Sequence, residues 1–161
     1  MNSSFARSSI LGLFCAALVW CPRVSAMPKD TLCPHLRAFV VSVRAKETRK
    51  FEFHTSWGGP FKGMKENAFS AKYCDHDGYA PAKAACDDLM ARGDVEFAGN
   101  NALLAMACLS PGTRFGWGTD LSRIDLTFGY VATRRDRDVT IRFDRDDQVG
   151  GMVLSVAVSA Y

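Results

Sequence analysis

Between Ser122 and Val158 the chain alternates apolar and polar positions three times over. Ile124, Leu126, Phe128 and Tyr130 fall on one face of the first run. Val139, Ile141 and Phe143 alternate with Thr140, Arg142 and Asp144 in the second, and Met152, Leu154, Val156 and Val158 mark the third. A period of two is the signature of half-buried strands. The runs are separated by Arg134-Arg135-Asp136-Arg137 and by Asp144-Arg145-Asp146-Asp147 with Gly150-Gly151, both read as polar turns. Three strands joined by short turns predict an antiparallel meander, with Arg142 and Asp144 keeping one face wet.

The earlier half changes period. Leu36, Phe39, Val40 and Val43 recur at helical spacing, which predicts a helix over 34–46 with Pro34 at its first position and Thr31 as a nearby cap. The β-prone run Phe39-Val40-Val41-Ser42-Val43 supports a strand as the competing reading. In Lys50–Trp57 the side chains of Phe51, Phe53, Thr55 and Trp57 oppose those of Glu52, His54 and Ser56, a half-buried strand that Gly58-Gly59-Pro60 stops. Residues 60–79 read as a long irregular stretch ending in a turn at Asp77-Gly78, and long loops of that kind are usually functional. Pro81 opens a second helix to Arg92, with Ala85, Leu89 and Met90 as its buried stripe, Cys86 pointing inward and Gly93 as its stop. Asn100-Asn101 interrupts the chain before Ala102–Leu109, a run apolar on all sides and therefore buried. Its length suits a short helix or a central strand, and we read it as a strand ending at Cys108. Pro111–Thr119 is a glycine-rich loop. Helices early and strands late predict an α+β domain: an antiparallel sheet of four or five strands, two helices on one face, and two disulfides.

The amino-terminal segment sets the context for those cysteines. Arg7 supplies a charged start, Ile10–Trp20 a short apolar stretch, and Val24-Ser25-Ala26 small or β-branched residues at a cleavage site. This order predicts a signal peptide over 1–26 and a single domain over 27–161, in the periplasm or secreted. The apolar stretch falls short of the roughly 20 residues a membrane span requires, so no integral membrane segment is expected after cleavage. Two alternatives are weaker. Cys21 as a lipid acceptor is disfavoured by the bulky Trp20 before it, and a start at Met27 by the well-ordered leader features. Cleavage removes Cys15, Cys21, Arg7 and Arg23 but none of the 17 acids, so a net charge of +3 falls to nearly neutral. That balance argues against nucleic acid as a partner. Cys33, Cys74, Cys86 and Cys108 then form two disulfides in an oxidising compartment, and of three connectivities we favour Cys74–Cys86 with Cys33–Cys108. Zinc sites prefer closely spaced cysteine pairs, and none occurs here.

No sequence feature assigns a catalytic residue, a cofactor or a metal. His54 and His76 with Asp75 and Asp77 form the one polar grouping capable of acid–base or metal chemistry, as a small hydrolase would use. Asp and His beside Gly78 are also ordinary turn residues, and that reading is preferred. An even cysteine count leaves no thiol for a nucleophile. Asp144–Gly150 matches a calcium loop poorly, because its glycine falls late and no closing Glu follows. The aromatic residues are more informative. Trp57 and Phe61 flank Gly58-Gly59-Pro60, and Phe115 and Trp117 alternate with glycines, so all four are candidate binding residues. Lys62, Lys65 and Arg114 could rim such a site, although charged loop residues are usually just solvated. The competing reading has Trp57 capping the core, in parity with Phe51 and Phe53, and Trp117 folded back over it. The leading expectation is a disulfide-stabilised binding or inhibitory protein, of the immunity-protein or hydrolase-inhibitor type, acting on a protein partner. Such proteins present a surface rather than a catalytic constellation. A module for cell-wall carbohydrate using Trp57 and Trp117 is the other binding class. No glycosylation sequon occurs beyond residue 26, which is compatible with a bacterial source.

Overall fold

The computed structural model describes residues 31–65, 67–132 and 135–161. The expected signal peptide and its cleavage site lie outside the described residues. Eight elements follow in order: α1 (Leu32–Ser42), β1 (Thr48–Trp57), β2 (Ser70–Asp75), α2 (Ala80–Arg92), α3 (Gly99–Leu109), β3 (Ile124–Ala132), β4 (Arg135–Asp146) and β5 (Gly151–Ala160). The strands form one antiparallel sheet in the order β2-β1-β5-β4-β3. The α+β class, the antiparallel sheet and both disulfides agree with the sequence expectation; among the described residues there are five strands, and three helices in place of the expected two.

Each strand sends alternate side chains into one core. Phe51 and Phe53 of β1, Leu154, Val156 and Val158 of β5, and Val139, Ile141 and Phe143 of β4 are all buried. Their register places Phe53 opposite Leu154 and Leu154 opposite Phe143, so the apolar rows run across the sheet. Helix α1 lays Leu36, Phe39 and Val40 on this surface, with Phe39 edge-on to Phe51 at 5.4 Å between ring centroids. Each such side chain contributes about 1.5–3 kcal/mol when fully buried. The bridges staple the helical layer: Cys33–Cys108 joins α1 to α3, and Cys74–Cys86 joins β2 to α2.

Several expectations are corrected. α1 starts earlier, at Leu32, and stops at Ser42 because Val43 is already extended. Thr31 is its N-cap residue, but its hydroxyl bonds Asp88 at 2.6 Å instead of the helix. Met90 of α2 is exposed, whereas Ala85, Cys86 and Leu89 are buried as expected. The apolar run 102–109 is helix α3, not a strand ending at Cys108. Its alanines, leucines and methionine are strong helix formers. Asn101 lies within the first turn of the helix instead of breaking it: its side-chain Oδ1 accepts the Asp94 N–H at 2.9 Å, and its side-chain Nδ2 donates to the Asp94 and Ala98 carbonyls. The supposed loop 60–79 contains β2, an edge strand that pairs with β1 from Glu52↔Asp75 to Trp57↔Ser70. The expected charged turn at 134–137 is mostly strand. Arg135 opens β4 opposite Ala132, and Arg137 is buried, donating to the Val41 carbonyl at 2.9 Å and the Val43 carbonyl at 3.4 Å. Arg134 lies outside the described residues. A guanidinium at a helix carboxyl end satisfies carbonyls that have no partner within the helix.

Candidate functional site

Strand parity put His54 and Ser56 on the wet side of the sheet, yet both are buried. The chain leaving β1 folds back over them. Ser56 Oγ donates to the Gly59 carbonyl at 2.7 Å, the Lys62 N–H reaches the Val149 carbonyl at 2.8 Å, and Lys62 Nζ reaches the Asp147 carbonyl. Phe61 is then pressed beneath the surface, edge-on to Tyr73 at 5.2 Å between ring centroids, and Tyr73 stacks flat on His54 at 4.1 Å. Gly151 makes this possible. A Cβ there would sit 2.2 Å from the Thr55 carbonyl oxygen and 3.1 Å from the Phe61 ring. Burial is the main cause that holds the His54 imidazole below its ordinary pKa, against the opposing pull of Glu52, Asp146 and Asp75. Phe61 is thus buried within, and Lys62 tied across, this second small core.

His76 lies beyond the end of β2, in the turn to α2. The Asp77 N–H donates to Asp75 Oδ1 at 3.1 Å and the Tyr79 N–H to the His76 carbonyl at 2.8 Å, which is turn chemistry. Among the described residues no group of three or more His, Cys, Asp or Glu side chains is arranged to hold a metal ion.

A cleft of about 620 Å³ opens at one end of the sheet. Its walls are the end of β1 (Thr55–Trp57), Gly150 with the start of β5 (Gly151 and Met152), Phe143 and Arg145 of β4, the α2–α3 connection (Val95–Ala98) with Gly99 of α3, and Asp120–Ser122. Trp57 is 49 % exposed, so it does not cap the core as its parity suggested; its ring meets Phe69 edge-on at 4.7 Å. Phe97 is also exposed on the cleft wall. Neither Phe69 nor Phe97 was singled out from sequence, because neither belongs to a periodic run. Arg145 is held by Asp147 at 2.9 Å.

Phe115 and Trp117 lie on the connection from α3 to β3, where every residue from Pro111 to Asp120 is exposed. Two tight turns build it. Ser110–Thr113 closes through the Thr113 N–H to the Ser110 carbonyl at 3.1 Å, with Pro111 second and Gly112 third at φ 100°. Gly116–Thr119 closes the same way at 3.1 Å, with Trp117 second and Gly118 third at φ 76°. A positive-φ glycine in third place is what a type II turn requires, and proline is common in second. Thr119 Oγ1 adds a bond to the Gly116 carbonyl at 2.7 Å. Trp117 stands on the corner of its turn at 104 % relative exposure, and Phe115 is 38 % exposed. This arm is anchored at both ends: Cys108 is bridged to Cys33, and Leu121 packs against Gly99, where a Cβ would lie 2.3 Å from the Leu121 carbonyl oxygen. Trp57 lines the cleft and Trp117 does not, although the connection that carries Trp117 supplies Asp120–Ser122 to the cleft wall. Lys65 and Arg114 are exposed.

No family model matches the sequence, and neither the curated proteins nor the solved structures give a significant match.

Proposed function

We propose that the chain is an exported binding protein of the inhibitory or immunity type, whose working element is the Trp117 arm inserted into a concave site on a protein partner. The observation that carries this reading is a fully exposed tryptophan on the corner of a hydrogen-bonded turn. Single exposed apolar residues need no explanation in general. Here the most apolar contact surface in the arm is displayed on backbone already closed by two turns, so little conformational entropy remains to be lost on binding. Tryptophan is also the residue most enriched at interface hot spots. The two disulfides, and the lack among the described residues of any helix long and apolar enough to cross a membrane, fit an exported protein.

The test places a photo-crosslinking residue at Phe115 in the exporting cell. A discrete protein adduct is expected, and its yield should collapse when Trp117→Ala is added. With the partner purified, Trp117→Ala should weaken binding about 30-fold or more, the ~2 kcal/mol expected of a hot-spot residue. No adduct, or an adduct indifferent to Trp117, would count against the proposal.

A second reading rests on the cleft, where the half-exposed Trp57 and Phe97 share walls with Glu96 and Asp120. Aromatic rings beside carboxylates suit a saccharide, apolar on one face and hydroxylated at its edges. Soluble cell-wall fragments that shift tryptophan emission in the wild type and in Trp117→Ala, but not in Trp57→Ala, would favour it.

A further inference from the structure

The two edges of the sheet are built differently. The β2 edge is short, six residues from Ser70 to Asp75, carries Lys72 and Asp75, and is bridged to α2 through Cys74–Cys86. These are the usual protections of an edge against pairing with another strand. The opposite edge, β3, is nine residues long and reads IDLTFGYVA. Its one charge, Asp125, is held by Arg142 of β4 at 3.1 Å. Among the described residues, β3 makes backbone hydrogen bonds only to β4.

The face that should be covered is also incomplete. The helices pack on β1, β2 and β4. On the same side of the sheet β3 carries Ile124, Leu126, Phe128 and Tyr130, opposite Phe143, Ile141, Val139 and Arg137. The partners on β4 are all buried, whereas Leu126 is 37 % exposed and Ile124, Phe128 and Tyr130 are only partly covered. Ile124, Phe128 and Tyr130 pack against the edge of the core, yet a backbone row bonded on one side only beside a partly covered apolar row is a template for one more strand.

We infer that β3 is a pairing edge for a second copy of this chain, joined antiparallel across a two-fold axis to continue the sheet. The strand is complementary to itself. Centred on Phe128, antiparallel pairing sets Leu126 opposite Tyr130 and Asp125 opposite Val131. Centred on Thr127, it sets Leu126 opposite Phe128 and Asp125 opposite Gly129. In both registers apolar residues meet across the inner face, and the single charge never meets its own copy, which would be destabilising. A two-fold interface needs this property, because one patch must serve both sides.

Sedimentation equilibrium on the disulfide-bonded chain over a wide concentration range tests the inference. The wild type should move toward twice the monomer mass as concentration rises. Leu126→Lys, placed at an already part-exposed position, should remain monomeric, and Leu104→Lys, on the exposed side of α3, should behave as wild type. Hydrogen exchange on the wild type alone covers the case in which Leu126→Lys fails to fold: β3 amides should exchange more slowly at high concentration and β2 amides should not. A wild type that stays monomeric throughout would overturn the inference, as would equal behaviour of the two lysine variants or β3 exchange independent of concentration.

Discussion

Replacing the cysteines of one bridge at a time, Cys33→Ala with Cys108→Ala or Cys74→Ala with Cys86→Ala, asks which staple stabilises the domain more. The bridges span 75 and 12 positions in sequence. A cross-link lowers the entropy of the unfolded chain with the logarithm of the loop it closes. The same relation gives about 4.5 kcal/mol for the long loop and about 2.8 kcal/mol for the short one at 25 °C, a gap of about 1.6 kcal/mol. Packing losses nearly cancel in the comparison. Each bridge has one sulfur deep in the core, Cys108 or Cys86, and one partly covered, Cys33 or Cys74. The assay is urea denaturation followed by circular dichroism. With an m-value of about 1–3 kcal/mol/M, the midpoint of the long-loop variant should lie roughly 0.5–1.6 M below that of the short-loop variant. Set against a typical domain stability of ~5–15 kcal/mol, losing the long bridge removes a large share of the total. Equal midpoints, or a lower midpoint for the short-loop variant, would refute the entropy argument and locate the value of Cys74–Cys86 in holding edge strand β2 to α2.

Other consequences follow from single residues. Trp117→Ala should change folding stability by no more than about 0.5 kcal/mol in the same assay, because the ring touches solvent on all sides; a larger loss would mean the arm packs on the domain. Gly151→Ala should destabilise by about 1–3 kcal/mol through the clash with the Thr55 carbonyl and Phe61, and an unchanged midpoint would contradict the close packing of the 58–65 loop. His54 titrates below its unfolded value of 6.5. The unfolded chain therefore takes up a proton that the folded chain resists, so stability is full above pH 6.5 and declines as pH falls from there toward the folded pKa. His54→Gln should flatten that decline, and parallel stability–pH curves for variant and wild type would sink the assignment.

What the sequence alone determined was whatever depends on neighbours along the chain. Alternation at 124–130, 139–143 and 152–158 places side chains on one face by backbone geometry alone, so the meander was legible. So was α2, bracketed by Pro81 and Gly93, and the disulfide pairing also agreed with the sequence reading. Ala102–Leu109 was ambiguous because a run apolar on every side has no period. The first turn of its helix is tied to the preceding connection by hydrogen bonds between Asp94 and Asn101, residues that meet only once the chain has turned. Tertiary structure decided where that alternation stopped predicting burial. His54 and Ser56 alternate correctly and are buried all the same, because a loop tied to the β4–β5 turn covers them. Arg137 sits in a polar run and is buried, because α1 ends beside it with carbonyls to satisfy. Trp57 has core parity and is exposed, because the sheet ends there and a cleft opens. Strand order, too, came from the fold: nothing along the chain says that β3 ends the sheet, and that position leaves its apolar row only partly covered and, among the described residues, its backbone paired on one side.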